Sequence, residues 1–165
     1  MSLPLHPVVV HIPMALAVLL PIVAIAVAWS VLRPGRRPGA AWLALVIAQA
    51  VLVGSAFAAM NTGQREEDRV ERVVSSTLIH EHEEFAEQFT WTASGVLLVS
   101  LFAFVRRERA ARAAIGVTVL GTLLVAALGV RVGHAGGSLV YVHGAGAAYV
   151  SPQPQAPAPE DRDEH

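Results

Sequence analysis

Cysteine and lysine are absent from the 165-residue chain, charged residues make up only 15% of it, and aromatics 6%. Without cysteine there is no disulfide, no thiolate metal site, no iron–sulfur cluster and no covalent c-type haem attachment. The twelve basic residues are all arginine, which reads as genome base composition more than as chemistry. A net charge of −1 gives no bias toward nucleic acid. Any metal or cofactor must be held by histidine, carboxylate or noncovalent packing. What the chain has in excess is apolar surface: 54% of its residues are hydrophobic, too many for an ordinary soluble domain. Its length permits one domain.

Four runs carry no charge: Pro7 to Leu32, Gly39 to Met60, Phe89 to Val105 and Ala113 to Val130, of 26, 22, 17 and 18 residues. A helix needs about 20 apolar residues to cross a bilayer, within a range of roughly 17 to 25. All four are read as spans, at about 7–32, 39–60, 89–105 and 113–133. The opening MSLPLH has no positive n-region, so the first run is expected to be a span and not a cleaved signal peptide. Short turns between spans predict an all-α membrane protein, an antiparallel up-down-up-down four-helix bundle. The small-xxx-small pairs Ala44/Ala48, Gly54/Ala58 and Ser55/Ala59 suit close helix approach.

Arginine sets the orientation. Arg33, Arg36 and Arg37 lie between spans one and two, and Arg106, Arg107, Arg109 and Arg112 between spans three and four. The positive-inside rule puts both short loops in the cytoplasm, with the N-terminus and the C-terminal part outside. Trp29 and Trp42 flank the first arginine loop and Trp91 lies near the outer end of span three, as an aromatic belt would. This describes a multi-pass membrane protein.

On that topology His6, His11, His80, His82, His134 and His143 gather at the outer face, from three separate parts of the chain. Only His165 stands apart, in the tail. Asn61-Thr62-Gly63 is expected to break the chain after span two. An amphipathic outer helix over about 64–88 follows and continues into span three. Its apolar stripe is Val70, Val74, Leu78, His82, Phe85 or Ala86, and Phe89. Residues two apart on a helix point about 200° apart, so His82 should face the bundle and His80 the water. Gly136-Gly137 should end span four and turn the chain back, carrying His143 toward the bundle mouth. The proline-rich acidic tail 151–165 is expected to be disordered.

The stretch HPVVVHIP opens the first span. Pro7 suits a first helical turn, with His6 at the N-cap. Pro13 frees a carbonyl near Val9, a distortion membrane helices tolerate when neighbours or water satisfy it. HPVVVHIPMAL, the Asn-Thr-Gly element, the EHEEFA helix start and the GHAGGSLVYVHGAG ending together resemble a widespread bacterial family of small four-span membrane proteins. That family is catalogued as a domain of unknown function, with an HPxxVHFPIxL start. The resemblance runs from about Leu3 to Val150 and its pattern matches His6, His11, His82, His134 and His143. Ile12 replaces the usual phenylalanine. Related segments beside cytochrome-like domains imply a redox setting.

Three functional readings compete. The first is a noncovalent b-type haem for electron transfer, which needs imidazoles on opposite sides of an apolar slot. Spans one and three are diagonal in such a bundle, so His11 and His82 are the preferred axial pair and His134 with His143 a second. Arg131, one turn before His134, could meet a propionate; the competing reading is an arginine snorkelling to the outer headgroups. The second is a zinc, copper or iron site drawn from His6, His11, His82, His134 and His143. The third is an accessory or structural subunit without ligand. Beyond the lipid bilayer, the partners to consider are a redox protein, a quinone or a second copy of the chain. The spans lack buried acids and a broken-helix pair, which argues against transport. No nucleophile–base arrangement marks an enzyme, and hydrolysis would need a metal to activate water.

Overall fold

The computed structural model describes residues 4–33 and 35–150, and every described element is helical. The tail expected to be disordered lies outside these residues. A short helix α1 (His6–Val9) leads into α2 (His11–Val31), and α3 (Ala40–Val70), α4 (Ser76–Leu101) and α5 (Glu108–Tyr141) follow. Short 3₁₀ turns cover Phe102–Phe104 and Ala145–Tyr149. The expected N-cap moves by one residue: Leu5 caps α1 and His6 is its first helical residue. The interruption at Val10 separates α1 from α2 three residues before Pro13, whose missing N–H cannot bond the Val9 carbonyl. Pro21 is carried inside α2 and is buried.

Each long helix packs on two others, in the cyclic order α2, α3, α4, α5 and back to α2, which leaves α2/α4 and α3/α5 as the diagonal pairs. The core follows helical spacing: Ala17, Leu20, Ala24 and Ala28 on α2 meet Leu45, Leu52 and Ala56 on α3, Phe89, Ala93 and Val96 on α4, and Ile115 and Val125 on α5. The opposite faces are equally apolar, with Ile22, Ile25, Leu120 and Leu124 more than half exposed. Such all-round hydrophobicity is costly in water and required in hydrocarbon. Among the described residues three helical stretches are long and apolar enough to cross a membrane: His6–Val31, Ala40–Val70 and Glu108–Tyr141. The expected third span falls in α4, whose first half is charged, so its apolar part is only half a helix.

At one end of the molecule, the Trp42 indole N–H donates to the Ser100 carbonyl (3.0 Å) and Arg112 donates to the Leu32 carbonyl (2.9 Å) and to Glu108 (3.1 Å). The two arginine-rich connections lie there. At the other end the start of α1 meets the late part of α3, and the start of α4 meets the late part of α5.

Several expectations need correction. Asn61-Thr62-Gly63 does not break the chain: α3 runs through it to Val70. The expected outer helix over 64–88 is thus two pieces, the end of α3 and the start of α4, joined by a turn at 71–75. Its apolar stripe still points inward, because Val74 and Ile79 pack on Ala145 in a second small core flanked by Val70, Leu78 and Leu139. Gly136-Gly137 does not end α5, which continues to Tyr141; the chain turns instead at Gly144, whose φ of +72° favours glycine. Trp42 is 0% exposed and belongs to the core, not to an aromatic belt, whereas Trp29 and Trp91 are exposed. Of the small-residue pairs only Ser55/Ala59 faces the bundle; Ala44, Gly54 and Ala58 are exposed.

Candidate functional site

The end opposite the arginine connections is tied together by one carboxylate. Glu66 Oε1 accepts the backbone N–H of Leu5 (2.8 Å) and of His6 (3.3 Å), and Glu66 Oε2 accepts the Tyr149 hydroxyl (2.7 Å). The chain start, α3 and the C-terminal 3₁₀ turn are thereby joined. Burial, the hydrogen bond to Glu66 and its negative charge push the Tyr149 phenol up to about 12, against a smaller opposing pull from Arg69. The Arg69 guanidinium lies 5.4 Å from the Tyr149 ring centroid, close enough for a cation–π contact.

This clasp fixes His6. Its Nδ1 lies 2.9 Å from the Ala59 carbonyl and 3.4 Å from the Thr62 hydroxyl, which itself donates to Ala59 (2.9 Å). Only a protonated Nδ1 can bond a carbonyl, so in the neutral ring the free lone pair sits on Nε2. The ring rests on Gly63, where a Cβ would come within 3.3 Å of Cε1 and Nδ1. Glycine here provides a seat for an imidazole within a continuous α3.

His82 has a matching seat. A Cβ at Gly136 would lie 3.1 Å from His82 Cε1 and within 3.7 Å of both ring nitrogens. The His82 ring is mostly buried, and its Nδ1 is out of contact with water and has no hydrogen-bond partner among the described residues. The two imidazoles stand 6.3 Å apart between centroids, edge to face at 83°. Burial first, then the nearby His6, hold the His82 pKa below the ordinary 6.5, against the weaker opposing effect of a hydrogen bond from the ring to the Val132 backbone carbonyl. The lowered pKa favours the uncharged ring near neutral pH, and Nδ1 is the ring atom left without a partner among the described residues.

The other predicted residues are placed differently. His80 is 74% exposed, with Glu83 and Glu84 each 3.7 Å away, a solvated arrangement of small energetic consequence. His11, expected to pair with His82, is exposed on the first turn of α2; the imidazole beside His82 is that of His6. His134 and His143 are both exposed. Arg131 lies over the Phe85 ring at 3.9 Å from its centroid, a cation–π contact between α5 and α4. Among the described residues no group of three or more histidine, aspartate or glutamate side chains could hold a metal ion. Sequence reasoning missed Glu66, Tyr149, Gly63 and Gly136. Glu66 was hidden in an acid-rich stretch that periodicity assigns to solvent, and the glycines looked like helix ends.

The chain belongs to a family described as predicted membrane proteins (DUF2231), whose function is unknown and whose pattern matches residues 2–149. No curated protein and no solved structure matches it.

Proposed function

We propose that the chain is an antiparallel four-span membrane protein, with its chain start and the end of α5 on the non-cytoplasmic face. There, His6 and His82 are the two protein ligands of a noncovalently held redox centre. The observation that carries this is a pair of imidazoles from distant stretches, 6.3 Å apart, one of which has a buried Nδ1 without a partner among the described residues. Two rings facing a common metal would stand about 6 Å apart, from two metal–nitrogen bonds of about 2 Å plus the ring radii. The supporting shell also fits, because a ligating histidine ordinarily donates its other N–H to a carbonyl, as His6 does to Ala59. A lowered proton affinity keeps His82 neutral, the form that binds metal.

The donor set favours a centre that brings its own remaining ligands, since among the described residues no third histidine, aspartate or glutamate joins the pair. A b-type haem meets that condition, and when bound it would supply one-electron transfer. In this reading His6 and His82 orient the group, Glu66 holds the His6 backbone in place, and Gly63 and Gly136 let both rings approach the helices. The two arginine-rich connections at the opposite end support a cytoplasmic assignment for that end. A second reading rests on the Glu66 clasp: the imidazoles act as packing wedges that close the outer mouth of an accessory subunit without ligand.

An absorption spectrum of the detergent-purified protein separates the two. Sharp reduced-minus-oxidised haem bands are expected, lost in His6→Ala and in His82→Ala and retained in His11→Ala and His80→Ala. A colourless protein with stoichiometric zinc, copper or iron by elemental analysis would replace haem by a metal ion. A colourless, metal-free protein from haem-replete cells would leave the wedge reading in its place.

A further inference from the structure

We propose that the bundle holds one water molecule at its centre, bound by the side chains of Gln49 and Thr122. Gln49 lies on α3 among the core residues and is only 3% exposed. Its amide Nε2 and Oε1 are both sealed from the surface, and neither has a hydrogen-bond partner among the described residues. Gln49 lines a void of about 10 Å³ to which α2, α3, α4 and α5 each contribute two residues. Thr122 of α5 is the other polar residue of the lining; the rest are alanine, leucine and valine.

An amide carries two N–H donors and an oxygen with two lone pairs. Left unpaired in an apolar interior, each such group costs roughly 1–3 kcal/mol. The other buried hydroxyls on these helices have spent their protons on their own helix: Thr90 on Ala86, Ser100 on Leu97 and Thr118 on Ala114. Thr122 likewise donates to the Val119 carbonyl at 2.7 Å, which leaves its oxygen lone pairs free to accept. The void therefore presents donors and an acceptor from Gln49 and an acceptor from Thr122. A buried water needs about 10–15 Å³ and two to four polar partners. A water accepting from the Gln49 amide and donating to Thr122 meets both conditions. A larger ligand does not fit the space, and an empty apolar cavity does not satisfy the amide.

The position gives this water a structural role. α3 and α5 are a diagonal pair in the ring of helices. A Gln49–water–Thr122 bridge would tie them across the interior at the level where all four helices meet.

Nuclear magnetic resonance of the isotope-labelled protein in detergent micelles tests this on the native chain. The Gln49 side-chain amide protons should show a cross-relaxation peak to a long-lived water. That peak should fall several-fold in Thr122→Val, while the amide signals stay dispersed as in a folded protein. A wild-type spectrum in which the Gln49 amide protons relax only with protein protons overturns the water. A peak of undiminished strength in Thr122→Val overturns Thr122 as its second partner.

Discussion

Replacing Gly136 and Gly137 one at a time by alanine should change stability in opposite directions. Adjacent in sequence, both lie inside α5, and neither has a positive φ. Alanine is favoured over glycine in a helix interior by about 0.8–1 kcal/mol. At Gly137 an added Cβ meets nothing within 4 Å, so that gain should appear in full. At Gly136 the new methyl would lie 3.1 Å from His82 Cε1, inside the ~3.5–4.0 Å at which carbon atoms attract. The imidazole would have to move a few tenths of an ångström in a packed site, and overpacking of that kind costs about 1–3 kcal/mol. The two variants should then differ by about 1–3 kcal/mol, with Gly137→Ala the more stable. For a chain of this size each kcal/mol moves the melting temperature by about 2–4 °C. Thermal unfolding in a mild detergent, followed by circular dichroism, would resolve the difference. Equal destabilisation of both would mean that the pair ends the helix after all. Equal stabilisation would mean that the His82 ring does not rest on Gly136, and either result would refute the seating argument.

Acidification should weaken the fold through His82. Its ring resists protonation in the folded chain, so the unfolded chain takes up the proton first. The associated stability is complete above the ordinary value of 6.5 and is lost as pH falls from there toward the lower folded pKa. Melting temperatures measured across this range should fall more steeply in the wild type than in His82→Gln. In Glu66→Gln the carboxylate charge is gone, and an ultraviolet titration should find Tyr149 ionising below its native value of about 12, though still above 10.0 because burial remains. Trp42→Phe removes the donor to the Ser100 carbonyl and part of a fully buried side chain. It should cost about 1–3 kcal/mol, whereas Trp29→Phe, on the exposed face, should stay within about 0.5 kcal/mol in detergent unfolding.

Periodicity carried some of the site. The spacing of Val70, Val74, Leu78, His82 and Phe89 indicates which of the two neighbouring histidines turns inward, and the structure has His82 mostly buried and His80 in water. The same reasoning failed at glycine. A glycine in a helical pattern signals either a chain reversal or a close neighbour, and only the neighbour's position distinguishes the two. Gly63 and Gly136 belong to the second kind, because imidazoles from other helices lie on them. The neighbour of His82 is hidden from the sequence for a related reason. Diagonal placement of the spans pairs His11 with His82, but α1 precedes α2 by a distorted turn, and the Glu66 clasp on its backbone holds the His6 ring next to His82.

Composition and hydropathy by themselves determined that this chain is helical and suited to a membrane, because a bilayer requires long uncharged stretches and leaves few ways to satisfy their backbones. The clustering of charge in short connections likewise followed from the order of residues. Which imidazoles meet, which carboxylate secures the chain start and which polar side chain is left without a partner in the core were decided by tertiary packing. Each of these depends on distances between residues more than fifty positions apart, and no local pattern encodes those distances.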